Sequence, residues 1–442
     1  MLVDYSTAIK WLDSHVNLET GLGIPAGVDR RLTAPTLERI TALTTLLGSP
    51  QLEFPSIHLT GTNGKTSTAR ILTALLVAEG LNVGSFTSPH LETVRERINL
   101  NGDVIGESEF AALLTRVATV EEFIDDAPSY FEILVAAAFD WFAEVAVDVA
   151  VVEVGLGGRW DATNVLSSSI SVITNVGLDH TEYLGETVEE IATEKAGIIE
   201  VGSTLVLGSD QPNLAPIFSK RAPLRTLTAG KDFSVKSDRL AMGGRLVDIA
   251  TPMFTYRDIF LSLNGPHQAL NAATALCSAE LFLGSPLATE TVEEAFGSVR
   301  SPGRLEVVGR SPLVILDGAH NVDGLRSLSA ALEEGFSSRA RTYVVGAMRG
   351  RDVDEFFAAL APNPETDRVI CTKAQTSRAL DPDVLADAAL RYGLGADSVL
   401  VIPEVGDALG RAIKDAGVDD QIVVTGSLYV VGAARASLPK AR

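Results

Sequence analysis

Cysteine is almost missing from this chain: Cys277 and Cys371 are the only two in 442 residues. They lie far apart in apolar segments. That pattern reads as two small buried side chains, not a disulfide framework, and fits a reducing cytoplasmic setting. A basic excess is missing too. Lys and Arg total 36 against 57 Asp and Glu, a formal net charge of −21. General nucleic-acid or anionic-membrane binders carry a basic face, so neither is expected as a partner. A local anion site needs only a few donors and is not excluded. Long uninterrupted apolar runs are also lacking. The most apolar stretch, Phe131 to Val154, is broken by Asp140, Glu144 and Asp148. It reads as a buried helix followed by a strand, not a membrane span. The opening MLVDYSTAIKWLDSH has no basic region followed by an apolar core, so no secretory signal is expected. Internal repeats, low-complexity tracts and coiled-coil heptads are absent from the sequence.

The chain has ordinary globular proportions, with 46% hydrophobic and 21% charged residues. Its length suggests two or at most three domains. The first fifty residues look helical. SIHLTGTNGKTSTARILTALLVAEG then reads as strand, Gly-containing turn and amphipathic helix. NVGSFTS, VDVAVVEVGLGG, SISVITNVGLDH and STLVLGS read as further strands. Their β-branched, nearly continuous apolar runs suit parallel strands covered on both faces. Residues 231–263 alternate over shorter segments, as a small antiparallel patch would. The pattern breaks at SVRSPGRLEVV, where Ser, Pro and Gly separate a helix from a new strand. Beyond it, LVILDGAHN, TYVVGAM, DRVICTKA, SVLVIPEV and QIVVTGSLYVVG alternate with helical stretches. The expected fold is α/β: a P-loop-type, mostly parallel sheet ATPase domain over 1–299, then a smaller Rossmann-like α/β domain over 300–442.

Gly61-Thr62-Asn63-Gly64-Lys65-Thr66 follows a strand and opens a helix, the context a phosphate loop requires. Glycines let the backbone approach phosphates, and the helix N-terminus favours their charge. Lys65 is placed to reach the β/γ-phosphates, and the Thr66 hydroxyl suits Mg²⁺. Leu59 stands where the usual pattern has its first glycine, so this is a shortened variant. Ser88, Glu153 and His180 each lie at or just after a strand end. In a parallel sheet these ends share the edge where ligands bind. With Thr66 they are expected to converge on a phosphate-bound Mg²⁺, although each alone has an ordinary structural reading.

GTNGKTS, TSPH, EVGLGGRWDATN, GLDHTEYLG, EKAGI, PGRLE and DGAHN occur in this order. Together they resemble the folylpolyglutamate synthase/dihydrofolate synthase family, within the wider Mur-ligase-like superfamily. The resemblance implies Mg²⁺ ligation by Ser88, Glu153 and His180, with two Mg²⁺ ions. It implies a carbamylated Lys195 as a further ligand, where the residue alone would read as a solvated helix lysine. It places Asn271 on adenine, Arg304 on the phosphates and Asp317 on the nucleotide from the second domain. Ser129, Tyr130, Phe131 and Glu132, with Trp160, Asp161 and Ala162, match segments lining the pterin/folate site. His320 and Ser427 match positions for the incoming glutamate, and His320 is also a candidate base. Trp160 replaces the usual Leu, and either stacks on a pterin or packs its loop.

The implied reaction is ATP-dependent ligation of L-glutamate to dihydropteroate, to reduced folates, or to both, through an acyl phosphate. A bifunctional, cytoplasmic, monomeric enzyme is expected. Two rivals stand beside it. A Mur-type ligase acting on UDP-sugar peptides would carry a separate N-terminal domain, for which the residues before the loop are too few. A non-catalytic nucleotide switch would need the loop but not Glu153, His180 and Lys195 together.

Overall fold

The computed structural model describes residues 4–17 and 36–438. Within the first fifty, helices occupy Tyr5–Asp13 and Leu37–Leu46. The helical expectation for residues 18–35 lies outside the described residues.

The first sheet comprises β1 (Ser56–Thr60), β2 (Val83–Phe86), β3 (Ile98–Leu100), β4 (Asp103–Val104), β5 (Val149–Glu153), β6 (Ile170–Ile173), β7 (Thr204–Leu207) and β8 (Arg225–Thr228). Its order is β4-β3-β2-β5-β1-β6-β7-β8. Pairing is parallel from β2 to β8. The short β3 and β4, which the sequence reading missed, add an antiparallel edge. Every residue of β1, β2, β5 and β6 is buried. The period of two explains why. Val149 and Val151 pack with Leu72 and Leu76 of the helix Lys65–Ala78, while Ala150 and Val152 pack with Ile133 and Leu134 of the helix Tyr130–Glu144. Glu153 continues the first of these faces, which turns its carboxylate toward the start of the helix Lys65–Ala78.

An antiparallel sheet follows, made of β9 (Ser234–Ala241), β10 (Gly244–Ala250) and β11 (Thr255–Leu261). The third sheet holds β12 (Glu306–Arg310), β13 (Leu313–Leu316), β14 (Arg341–Val345), β15 (Arg368–Cys371), β16 (Val399–Val401) and β17 (Gln421–Thr425). Its order is β12-β13-β17-β14-β15-β16, with only β12 antiparallel. The C-terminal ends of β1, β5 and β6 and of β13 and β17 meet at one cleft. Away from it, Arg245 of β10, 1% exposed, donates from Nη1 and Nη2 to Glu334, each at 2.9 Å. Arg435 near the C-terminus pairs with Glu92 at 2.7 Å. Both cysteines are buried and free. Among the described residues no helix is long and apolar enough to cross a membrane.

Candidate active site

Gly61 to Gly64 connect β1 to the helix Lys65–Ala78. Gly64 has φ of 85°, and a Cβ there would lie 2.6 Å from Asn271 Oδ1. A Cβ on Gly61 would lie 1.9 Å from Thr174 Oγ1. Both positions therefore require glycine. The loop leans on the segment after β6. Thr62 N donates to Asn175 O at 3.0 Å, and Asn63 N donates to Asn175 Oδ1 at 2.9 Å. Those two amides are thus engaged, which leaves the first turn of the helix as the anion-facing amides.

Lys65 Nζ donates to Gly61 O at 2.9 Å, and Lys195 Nζ donates to the same oxygen at 3.0 Å. Burial lowers both ammonium pKa values, and Lys65 adds to the effect on Lys195, which falls to about 7. Glu153, 1% exposed, accepts from Thr66 Oγ1 at 2.9 Å and from Ser88 N at 3.3 Å. Burial raises its pKa, against the pull of Lys65. Thr66 and Glu153 therefore bring hydroxyl and carboxylate oxygens together beside Ser88, a set that fits Mg²⁺.

His180 belongs to a neighbouring group. It has φ of 51°, and its Nε2 lies 3.9 Å from Asp179 Oδ2. Burial pushes its pKa down to about 4. Asp179 accepts from Arg351 Nη1 at 2.7 Å and Asn321 Nδ2 at 2.9 Å, and His320 Nε2 lies 3.5 Å away. Burial would raise the Asp179 pKa, but the hydrogen bond with His320 and the surrounding charges hold it well below the carboxylate range. His320 Nδ1 donates to Gly318 O at 2.8 Å, which leaves Nε2 as the nitrogen facing the site.

Lys65, Thr66, Ser88, Glu153, Asp179, His180, Lys195 and His320 line a cavity of about 410 Å³ with Asn271, Arg304 and Asp317. Asn271 Nδ2 donates to Gln268 Oε1 at 3.0 Å. Gly318 leaves room for Arg304, whose Nη1 would lie 3.0 Å from a Cβ at that position. Asp317 uses its carboxylate on backbone, accepting from Leu305 N at 2.8 Å and Ala319 N at 2.9 Å. It thereby fixes the linker that carries Arg304.

A second cavity of about 220 Å³ adjoins the first. Ser88, His180 and His320 line both. Phe131, Leu156 and Trp160 form its apolar wall, with Ser129, Glu132, Asp161, Ala162 and Ser427 around it. The Phe131 ring meets Phe86 edge-on at 5.8 Å and fills the space beside Gly155. Ser129 and Glu132 form a capping box at the helix start, and Arg39 Nε donates to Glu132 at 3.1 Å. Trp160 both faces the cavity and packs beside Leu184. Ser427 caps the final helix, accepting from Tyr429 N at 3.2 Å. Tyr130 is the exception. It does not line the cavity; its ring lies under the Arg97 guanidinium, 5.7 Å away. Helix positions turn by about 100° per residue, and here Phe131 and Glu132 turn toward the cavity while Tyr130 turns away from it.

Asp161 is held by a buried relay. Thr163 Oγ1 donates to Asp161 Oδ1 at 2.5 Å, so it accepts from His58 Nε2–H at 2.8 Å. Leu156 N donates to the other Asp161 oxygen at 2.8 Å.

A family model of the Mur ligase middle domain matches residues 59–279, and one of the Mur ligase glutamate ligase domain matches 303–428. The Mycobacterium tuberculosis dihydrofolate synthase/folylpolyglutamate synthase is 39% identical over 438 residues, covering 91% of this chain and 89% of that protein. The chain belongs to the dihydrofolate synthase/folylpolyglutamate synthase family. A structure of the Mycobacterium tuberculosis folylpolyglutamate synthase with ADP and AMPPCP has a TM-score of 0.88 at 38% identity, covering 98% of each chain. A bifunctional folylpolyglutamate synthase/dihydrofolate synthase with Mn, AMPPNP and L-glutamate bound has a TM-score of 0.83 at 27% identity, covering 99% of each chain. The chain is thus one of a family of ATP-dependent ligases. The structure adds residues that the motifs did not single out: Asp179, Arg351 and Arg378 line the cavities, and Asn321 bonds Asp179. Asp179 and Asn321 lie within GLDHTEYLG and DGAHN, next to His180 and His320. Arg351 and Arg378 lie in loops after β14 and β15, where the sequence carried no signal beyond two arginines in an acidic chain.

Proposed function

We propose that the chain joins L-glutamate to dihydropteroate and to reduced folates, consuming ATP, as a bifunctional dihydrofolate synthase/folylpolyglutamate synthase. One observation carries the reading. A polar cavity built around a phosphate loop adjoins an aromatic-walled cavity, and Ser88, His180 and His320 stand at the junction. Transfer between a nucleotide and a flat aromatic acceptor needs that adjacency.

In this reading 1–299 binds the nucleotide and 300–442 supplies the amino-acid end. The acceptor carboxylate attacks the γ-phosphorus, ADP leaves, and an acyl phosphate results. The glutamate amine then attacks the acyl carbon, phosphate leaves, and the amine loses a proton. Alignment and charge neutralisation dominate phosphoryl transfer, and Lys65 and Arg304 supply cations beside Glu153. Thr66, Ser88, Glu153 and His180 would hold one Mg²⁺, and a carbamylated Lys195 would serve a second. Bound there, the metal would neutralise phosphate charge. A carbamate on Lys195 requires a neutral amine, and a pKa of about 7 supports one. Gly61, Thr62, Asn63 and Gly64 shape the phosphate site, Asn271 meets adenine, and Asp317 orients Arg304. Phe131, Trp160, Asp161 and Ala162 receive the pterin, while Ser129 and Glu132 stiffen that wall. Arg351, His320 and Ser427 receive glutamate. We further infer a monomer in the cytoplasm, in keeping with the two free, buried cysteines.

The test is ADP release with Mg²⁺-ATP and glutamate, offering dihydropteroate and tetrahydrofolate separately. Release with both is expected; none with either would sink the reading.

A further inference from the structure

Asn321 is 6% exposed and caps the helix Val322–Gly335. Its Oδ1 accepts from Gly324 N at 2.8 Å and from Asn63 Nδ2 at 3.3 Å. Its Nδ2 donates to Asn63 Oδ1 at 3.1 Å and to Asp179 Oδ2 at 2.9 Å. All four hydrogen-bonding positions of the amide are in use. Capping a helix needs only the oxygen, and Ser or Asp would serve about as well. The two donors are what this site demands of its residue. Serine could not bridge two acceptors, and an aspartate would face Asp179 with like charge. The bridge joins parts with different duties. Asn63 belongs to the phosphate loop, beside Gly64 and Lys65. Asp179 holds Arg351 and stands by His320 at the amino-acid end.

We propose that Asn321 is a positioning residue that keeps the phosphate loop and the amino-acid end of the cleft in one register, so that the acyl phosphate made at the first is met by the amine at the second. This rests on the ligase reading above. Without the bridge each half still works alone. The acyl phosphate then reacts with water, whose oxygen bonds to the acyl carbon as phosphate leaves, and the acceptor carboxylate is restored.

The readout is ADP released per amide formed, which a purely structural role would not move. Wild-type protein should give a ratio of about one, and Asn321→Ser, which retains a capping oxygen, should exceed it about fivefold with KM for ATP within about threefold. Asn321→Thr serves as the second capping variant should the serine protein fail to fold. Asn63→Ala should raise the ratio similarly, and the double variant no further, because both remove one bridge. A ratio that stays at one in the capping variants overturns the proposal. So does a rise in KM for ATP alone, or an excess that multiplies in the double variant. Wild-type protein that forms no amide with either acceptor would instead defeat the ligase reading, and the inference with it.

Discussion

The nucleotide end of the cleft is made from strand ends, backbone amides, the half-buried Lys65 and the buried Lys195, whereas the acceptor end is made from side chains gathered from separate segments of both domains. At the first end, burial works against charge. Lys65, Lys195 and Glu153 all have pKa values displaced toward neutrality by desolvation, and a polyanion with its cation restores the balance. At the second, an apolar wall meets Asp179 and Arg351, already paired at 2.7 Å. Preorganised charge suits the first task, and shape the second.

Lys65→Ala should break the nucleotide end most severely. It removes a desolvated cation from the phosphate loop, and ligation should fall by about 10²–10³-fold, the scale for losing one preorganised charge partner. Steady-state ADP release measures it. KM for the acceptor should change little, because the aromatic cavity lies on the other side of Ser88 and His180. A comparable rise in acceptor KM would show that the two ends are not separable.

The contrast also explains what the sequence could disclose. Parallel strands, their order of motifs, the phosphate loop and Glu153 were legible because each rests on short-range pattern: apolar runs of the right length, glycines before a helix, a carboxylate closing a buried strand. The β3–β4 edge was missed because strands of three and two residues leave too little pattern. Tyr130 was misplaced because a motif names consecutive residues while a helix divides them between faces. Arg351 and Asn321 act through contacts with Asp179, 172 and 142 residues away in sequence. No local pattern encodes such meetings. Folate and glutamate as substrates rest on resemblance, which a relative at 39% identity supports.

Arg351→Met should sharpen the division within the acceptor end. A hydrogen bond to a charged group contributes about 1.5–3 kcal/mol, so KM for glutamate should rise roughly ten- to a hundredfold. KM for the pterin acceptor should move far less. An equal rise in both would mean that Arg351 supports the cavity as a whole through Asp179. Trp160→Ala should do the reverse on a smaller scale, raising acceptor KM about tenfold through lost ring contact while glutamate and ATP are unaffected. Trp160→Leu, which restores packing without a wide aromatic face, separates stacking from filling. Full recovery by leucine would assign Trp160 to packing alone.

The smallest effect on chemistry is expected behind the acceptor wall, in the His58–Thr163–Asp161 relay. Thr163→Val leaves the His58 N–H without its acceptor and Asp161 short of a donor, in a site where the three residues are 1%, 0% and 3% exposed. Stability to urea should fall by about 1–3 kcal/mol, with catalysis nearly intact where the protein is folded. The pH dependence sharpens the comparison, because the two ends of the relay titrate in opposite senses. Burial pushes His58 down to about 3 from 6.5, so its neutral form contributes stability above pH 6.5 that is lost as pH falls toward 3. Burial raises Asp161 to about 6 from 3.8, so its protonated form contributes stability below pH 3.8 that is lost as pH rises through 6. Between pH 4 and 6 the two slopes, each about 1.4 kcal/mol per pH unit at most, nearly cancel in the intact protein. Asp161→Asn should uncover the histidine slope, with stability falling on acidification from pH 6.5. His58→Gln should uncover the aspartate slope, with stability rising as pH falls from 7 to 5. Parallel urea titrations at three pH values distinguish them, and identical slopes in both variants would mean that the relay does not hold these two groups in the states assigned to them.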